Sequence, residues 1–551
     1  MRAPVPLLVL LSALTFAIGL DRPAITDSDE AYYAEASREM VESGDWLTPR
    51  FNYTERFQKP VLYYWMTASV YRLAGVGEAQ ARAASALSGL GLVLLTFACG
   101  RRWFDAPTAL LAGAIVATSL GCLGVARMSL PDLPLAFFIS LAIWAALVAL
   151  FDRPRAPRRW YVLAAGAAGL AFLTKGPLGV VIPALVVAPP FLLERGWRRV
   201  RPVDLAVAVV VFLAVAAPWY VAMTMEHGTE YLRGFFLGDN LERFATTTFN
   251  PHRPILFYVP VVLAGMLPWS PFLGLGIAPA WRVWRARRRP GKYELRLLSW
   301  ALLPFLLFTV SVGKQPRYIL PMLLPLGLGL ALLIRTATTS LPPLPQAQPR
   351  LFRALASIAG LLVVLIGLLL LRAQPLLFAA PAGRPLYGSI GLVVAGLAVM
   401  AVALSRWWRH VSVAVAASSV AIVAALQFGV LAHEGPEPVE QMARHVIEHR
   451  RAGEPVAPYG IFVRNLVFYT HVEQVDLFNR DRLLDYLARP DRVLCVMREG
   501  ELKALQATAF PRLRRLATLT YFDAATAKPR TVIFPDPGRD LQTAVLVDNG
   551  K

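Results

Sequence analysis

Acidic residues are scarce in this chain. It has 36 Asp and Glu among 551 residues, against 56 Lys and Arg. Charge of either sign is short as well, at 17%, where globular proteins carry about 25%. So little charge cannot cover the surface of several water-soluble domains, although the length alone would allow three or four. Cysteine is nearly absent. Cys99, Cys122 and Cys495 form no framework and no CxxC spacing, which excludes a disulfide scaffold and a zinc module. The 38 Gly and 43 Pro fall into no repeat, so a collagen or another repeat architecture is excluded too. What fills the chain is apolar: 56% of residues, with mean hydropathy +0.50. These residues gather into runs close to the ~20 positions that a spanning helix needs. The chain reads as a polytopic α-helical membrane protein.

Thirteen such runs are expected to span, near 4–20, 81–99, 108–126, 133–151, 160–174, 177–193, 203–224, 255–278, 296–312, 318–334, 354–371, 388–404 and 411–432. No A-x-A-like site precedes Asp21, so the first run reads as an uncleaved helix rather than a signal peptide. The net charge of +20 would suggest nucleic acid in a soluble chain, but here the excess lies in alternate short loops. Arg101-Arg102, Arg153 to Arg159, Arg195 to Arg201, Arg282 to Lys292, Arg335 to Arg353, and Arg406 with Arg409 all fall on one side. Positive loops face the cytoplasm. The pattern therefore excludes nucleic acid as a partner, puts the N-terminus in the cytoplasm, and puts residues 21–80 and the chain beyond about 433 outside. Two domains are expected. Residues 1–432 would form the membrane domain, with 21–80 as an outer loop, and 433–551 a soluble α/β domain. In the latter, strands are expected at Val456–Tyr459, Val493–Met497, Thr518–Phe522 and Thr531–Phe534, with amphipathic helices at Val439–Arg450 and Asp481–Leu487.

Residues 21–80 are too apolar for a simple loop and too polar to span. Ala31–Ser43 and Val61–Leu73 read as helices along the membrane surface, the second carrying Tyr63, Tyr64, Trp65 and Tyr71 suited to the headgroup layer. Ionisable residues then recur at one membrane level. Asp27, Asp29 and Glu30 follow the first run, and Asp132 and Lys175 lie in the next two short outer loops. His252 and Arg253 precede the eighth run, and Lys314, Arg317 and Tyr318 precede the tenth. Singly these are solvated loop charges. Together, carboxylates facing cations beside apolar helices suggest a site for an anionic, lipid-linked substrate. His445 and His449 have metal-ligand spacing on a helix, with no third ligand evident in the sequence, and are expected to form a solvated face.

Several motifs occur in order. They are Asp29-Glu-Ala-Tyr-Tyr-Ala-Glu-Ala-Ser-Arg-Glu-Met40, Ser43-Gly-Asp-Trp46, Lys59-Pro60, Tyr64-Trp65, Pro131-Asp132, Thr174-Lys-Gly-Pro177 and Pro251-His252. Phe257-Tyr258, Leu267-Pro-Trp-Ser270 and Gly313-Lys-Gln-Pro-Arg-Tyr-Ile-Leu-Pro321 continue the series. Through about residues 5–335 this series resembles the GT-C membrane glycosyltransferases, in the bacterial branch that uses polyprenyl-phosphate-linked sugars and includes the lipid A aminoarabinose transferases. The resemblance implies a GT-C fold with about thirteen spanning helices, interfacial helices after the first, and a C-terminal periplasmic α/β domain. It implies an inverting transferase in the bacterial inner membrane, acting on the periplasmic side. A polyprenyl-phosphate sugar would be the donor, with aminoarabinose-type transfer the specific expectation; lipid A or a related glycolipid would be the acceptor, with another envelope glycan or a protein as alternatives. Asp29 and Asp132 would then be the catalytic carboxylates. Glu30, Tyr33, Lys59, Lys175, His252, Lys314, Arg317 and Tyr318 would bind substrate, with Lys59, Lys314 and Arg317 on the donor phosphate.

Two positions depart from that family's usual pattern. Asp29-Glu-Ala-Tyr-Tyr33 stands where Asp-Glu-Thr-Arg-Tyr is usual, and Phe57-Gln58-Lys59-Pro60 where Phe-Glu-Lys-Pro is usual. With one arginine and one carboxylate missing, the resemblance does not assign the sugar. It leaves room for a divalent cation beside Asp29 and Asp132 without requiring one. Two other readings compete. A protein O-mannosyltransferase would use the same donor class but usually carries modules inserted between helices, and none stands here. A transporter or flippase would place charges at the bilayer midplane and show internal repeats, neither of which the sequence has.

Overall fold

The computed structural model describes residues 4–551 apart from 153, 237, 239–252, 340–348, 378–383, 432–436 and 524–528. Every one of the thirteen apolar runs carries helix. Among the described residues, eight helices are long and apolar enough to cross a membrane, and ten segments are if each of two bent pairs counts as one span. The helices at the remaining three runs are Pro4–Ala17, Pro157–Lys175 and Leu178–Leu193.

The two bent pairs explain each other. Ala106–Thr118 and Leu120–Ala126 meet at 57°, and Ile255–Gly265 and Ser270–Arg285 at 109°. A break inside apolar surroundings frees backbone groups that lipid cannot satisfy. Here the breaks lie against one another. Leu120 N donates to Leu267 O at 3.0 Å, and the Trp269 indole donates to Thr118 Oγ1 at 2.9 Å. The close approach favours glycine, because a Cβ added at Gly121 would lie 3.1 Å from the Cα of Gly265.

Between the first apolar helix and Glu78–Trp103 lie the two expected shorter helices, Ser28–Ser43 and Leu62–Ala74, joined through a two-stranded hairpin, β1 (Arg50–Phe51) and β2 (Thr54–Glu55). Asp27 caps the first of these helices, accepting from the backbone N–H groups of Asp29 and Glu30 at 2.8 and 3.0 Å. Gly44, at φ +71°, ends it. Arg82 then ties this region together. Its guanidinium donates to both carboxylate oxygens of Glu30 at 2.7 and 3.2 Å. It also donates to the carbonyls of Leu20, Pro23 and Ala24. Glu30 accepts in turn from Ser129 N at 2.9 Å. One buried ion pair thus joins the end of the first helix, the Asp29 helix and the loop before Asp132.

Beyond the apolar helices the chain forms a four-stranded sheet of β3 (Val456–Pro458), β4 (Leu494–Arg498), β5 (Arg514–Phe522) and β6 (Leu541–Asp548), in the order β3-β4-β6-β5. β3 and β4 are parallel, and the other pairings are antiparallel. The helices Pro438–His449 and Arg480–Ala488 stand where amphipathic stretches were expected. The fourth strand is a correction. Thr531–Phe534 falls largely within the short helix Pro529–Ile533, and the strand is Leu541–Asp548. β6 lies between two neighbours and buries Ala544–Val547, so its continuous apolar run is what a central position demands.

The segment around residues 462–476 is stitched to the N-terminal region. Asn465 donates to the carbonyls of Ile25 and Asp27, the Tyr469 hydroxyl accepts from Ile25 N at 2.7 Å, and Asn52 and Gln474 exchange two hydrogen bonds at 2.8 Å. Because Arg82 is the one cation paired with Glu30 among the described residues, Arg82→Ala strands a buried carboxylate. It should destabilise the protein by ~3–5 kcal/mol, read as a lower thermal midpoint of the purified protein, while exposed Arg72→Ala shifts it little.

Candidate active site

Helix ends set the charges of the site. Asp29 lies in the first turn of Ser28–Ser43 and Asp132 is the first residue of Asp132–Phe151; helix N-termini favour negative charge. Lys175 is the last residue of Pro157–Lys175, where the opposite end of the dipole favours a cation. Arg317 and Tyr318 sit on the 3-10 turn Pro316–Met322. The fold brings these ends together. Arg317 pairs with Asp29 and reaches Asp132 Oδ2 at 3.7 Å, and Lys175 Nζ lies 2.5 Å from Asp132 Oδ1 and 5.1 Å from the centre of the Tyr318 ring. Lys59 is buried within electrostatic reach of Asp132, and its ammonium also donates to Gln58 O at 2.9 Å.

Exposure separates the two carboxylates. The Asp29 side chain is 45% exposed and that of Asp132 5%. Asp29 is open to a substrate, whereas Asp132 is walled in by cations. Tyr33 packs edge-on to Tyr63 at 5.3 Å and against Tyr64 at 5.5 Å. Burial, with Tyr64, Asp132 and Asp29 nearby, holds its phenol well above the usual range, so Tyr33 is a neutral hydrogen-bond donor.

Other expected residues lie elsewhere. Both oxygens of Glu30 are taken by Arg82, so this carboxylate anchors the helix rather than facing the cluster. Lys314 is buried and donates to Ser311 O in its own loop. His252 lies outside the described residues. Asp29 and Asp132 are each paired with a cation and share no third ligand, so among the described residues they do not form a metal-binding set. His445 and His449 lie on the partly exposed helix face that was expected, where Glu448 adds a third side chain of ligand type. Glu448 stands 3.3 Å from His445 Nδ1, and the ligand atoms of the three lie within 4.8 Å of one another on a partly exposed helix face.

Sequence reasoning missed Arg56. Its guanidinium lies 3.7 Å from the centre of the Tyr32 ring and donates to the Tyr64 hydroxyl at 3.3 Å. Arg464, from the C-terminal part of the chain, lies 4.4 Å from the same ring. The arginine absent from position 32 is thus replaced in space by one that directly follows the hairpin's second strand. Arg56 carried no signal in the sequence, because it reads as one more loop charge until the hairpin folds back.

Residues 10–232 match the family model described as dolichyl-phosphate-mannose-protein mannosyltransferase. The undecaprenyl phosphate-alpha-4-amino-4-deoxy-L-arabinose arabinosyl transferase of Edwardsiella ictaluri is 32% identical over 463 residues, covering 81% of this chain and 80% of that protein. Its Pseudomonas fluorescens Pf0-1 counterpart is 34% identical over 417 residues, 74% of this chain and 70% of that one. This chain belongs to that arabinosyl transferase family. It is a membrane glycosyltransferase of GT-C fold. The crystal structure of ArnT from Cupriavidus metallidurans bound to undecaprenyl phosphate superposes with TM-score 0.75 and 26% identity, covering 99% of this chain and 98% of that one. The Archaeoglobus fulgidus oligosaccharyltransferase, at 14% identity and TM-score 0.52, covers 86% of this chain and 64% of that one and shares the fold.

A titration tests how tightly the Asp29 helix packs. Burial, with Glu35 beside it, pushes the Glu39 carboxyl up to about 8. Between the ordinary carboxylate range and that value the folded protein holds a proton that the unfolded chain releases, so stability falls as pH rises through this window. Glu39→Gln cannot ionise, so its thermal midpoint should gain on that of the parent protein between pH 6 and pH 9. An offset that does not change with pH would refute the shifted carboxyl.

Proposed function

We propose that this transferase moves a sugar, aminoarabinose as the specific assignment, from undecaprenyl phosphate to a phosphate of lipid A. The reaction takes place at the periplasmic surface of the bacterial inner membrane. The observation that carries the reading is the convergence of Asp29, Asp132, Lys59, Lys175 and Arg317 at one end of the apolar helices. The relatives' printed donor, undecaprenyl phosphate-aminoarabinose, and the undecaprenyl phosphate bound in the Cupriavidus structure support the donor class.

The reaction is one displacement. An acceptor oxygen attacks the anomeric carbon with inversion, the bond from that carbon to the donor phosphate breaks, and its electron pair stays on the leaving phosphate. Phosphate leaves well, so no general acid is needed. What the site supplies is cationic stabilisation of the departing charge. We assign that task to Lys59 and Arg317, and the bonding of sugar or phosphate oxygens to Tyr33 and Tyr318. Arg317 is held by Asp29 and Asp132 before substrate arrives, so an incoming phosphate meets an oriented guanidinium. A lipid A phosphate is already ionised, and Asp29 then acts electrostatically, by holding the Arg317 guanidinium that meets it. A hydroxyl acceptor would instead need Asp29 as base. Asp132, held by Lys175, fixes the cations.

The mannosyltransferase match supports a second reading, a protein acceptor with the same donor class. Mass spectrometry of lipid A from cells with and without the gene decides between them. A gene-dependent gain of one aminopentose on lipid A is expected, and unchanged lipid A beside a glycosylated envelope protein would overturn the first reading.

Purified Asp29→Asn should fold normally and transfer ~10²-fold more slowly if Asp29 positions Arg317 for a phosphate acceptor, and up to ~10⁴-fold more slowly if it is the base for a hydroxyl acceptor. Lys59→Ala should lose most activity while Lys59→Arg keeps part; near-normal turnover by either Asp29→Asn or Lys59→Ala removes that residue from the reaction. Topology is testable separately. Reporter fusions at Arg288 should read cytoplasmic and fusions at Gly460 external, and a cytoplasmic Gly460 would put the C-terminal region on the wrong side for this reading.

A further inference from the structure

The helix that starts at Asp132 ends at Phe151, and its 20 residues rise by about 30 Å, the thickness of a bilayer's hydrocarbon core. Its far end therefore lies at the membrane face opposite the site. A cavity of about 610 Å³ opens there, lined by Arg102, Asp152, Arg155, Arg159, Trp160 and Leu163, among others. The one carboxylate lining it is already in use. Asp152 Oδ2 accepts from Arg102 Nε at 2.7 Å and from the Trp103 indole at 3.3 Å, and Oδ1 accepts from Arg296 at 3.3 Å. Arg155 and Arg159 are exposed, and neither has a hydrogen bond or ion pair among the described residues. Trp160 forms the inner wall, its ring 5.2 Å from the Arg102 guanidinium and edge-on to Trp144 at 5.2 Å. Leu163, one turn on, is 38% exposed. The cavity thus has a cationic mouth, an aromatic wall at headgroup depth and an apolar flank.

The geometry points to a binding site for the phosphodiester headgroup of an anionic phospholipid, in the leaflet opposite the transferase site. Arg155 and Arg159 bind the phosphate, Trp160 packs on the glycerol, and Leu163 lies along the first acyl carbons. Basic pockets between spanning helices suit such headgroups. Selectivity follows from Asp152. Because Arg102, Arg296 and Trp103 occupy it, it offers nothing to the ammonium of a zwitterionic lipid, so phosphatidylglycerol is favoured over phosphatidylethanolamine. The site is independent of the transfer reaction, and either reading can fail without the other.

The test uses the full chain, purified in detergent, stripped of lipid, and titrated in native mass spectrometry with phosphatidylglycerol or phosphatidylethanolamine of matched chains. Phosphatidylglycerol should bind more tightly. Each lost arginine should weaken it roughly fivefold, from about 1 kcal/mol per basic residue at a membrane surface. Arg155→Gln/Arg159→Gln should therefore lose roughly 25-fold while keeping the parent's melting temperature. Single Arg159→Gln, with its fivefold loss, serves if the double variant melts lower. Arg285→Gln/Arg289→Gln removes the same charge from another loop and should leave the affinity unchanged. The assignment fails if both double variants weaken binding equally, if the two lipids bind alike, or if soluble glycerophosphoglycerol binds as tightly as the lipid.

Discussion

A bilayer interior offers no partner to a charge or a free backbone group, and the architecture of this transferase follows from that constraint. Ionisable side chains are driven to the ends of the apolar helices, where two charged layers form about 30 Å apart. One holds Asp29, Asp132, Lys175 and Arg317. The other holds Arg102, Asp152 and Arg296, with Glu194 accepting from Arg296 at 3.1 Å. The interruptions of the helices obey the same constraint, since the broken helices at Ser119 and Met266–Trp269 satisfy each other's polar groups.

Within the upper layer, ion pairs divide into anchors and working groups. Glu30–Arg82 is buried on both sides, with every oxygen and most donors engaged, so it fixes geometry and has no capacity left for a ligand. The Asp29–Arg317 pair differs because Asp29 is nearly half exposed. A pair open to water on one side exchanges partners at little cost, which suits the phosphate site proposed here. The aromatic wall of Tyr33, Tyr63 and Tyr64 supplies the dry, neutral flank against which that exchange is strengthened.

The Tyr32–Arg56 contact shows how a motif can depart from its family pattern without losing the charge. The cation has moved from a helix to the neighbouring hairpin and come to rest on the ring that replaced it. Arg464 brings the C-terminal part of the chain to the same ring, and Asn465 and Tyr469 hold the loop before Asp29. The sheet region is therefore part of what positions the motif helix.

Much was legible along the chain because the physics is local. Twenty apolar residues in a row form a helix in lipid whatever surrounds them, loop arginines sort by side, and the Asp29 motif carries its own cap and first-turn carboxylates. The helices at all thirteen runs, the two shorter outer helices and the candidacy of Asp29, Asp132, Lys175 and Arg317 come from the sequence alone. Pairing is not local. Only the fold decided that Glu30 faces Arg82 while Asp29 faces Arg317, though the two residues are adjacent and chemically alike, because successive helix positions point about 100° apart and their partners lie 52 and 288 residues away. The same holds for Arg56, which reads as a loop charge until the hairpin returns it to Tyr32. It holds too for Leu541–Asp548, whose place at the centre of the sheet depends on strands distant in the chain.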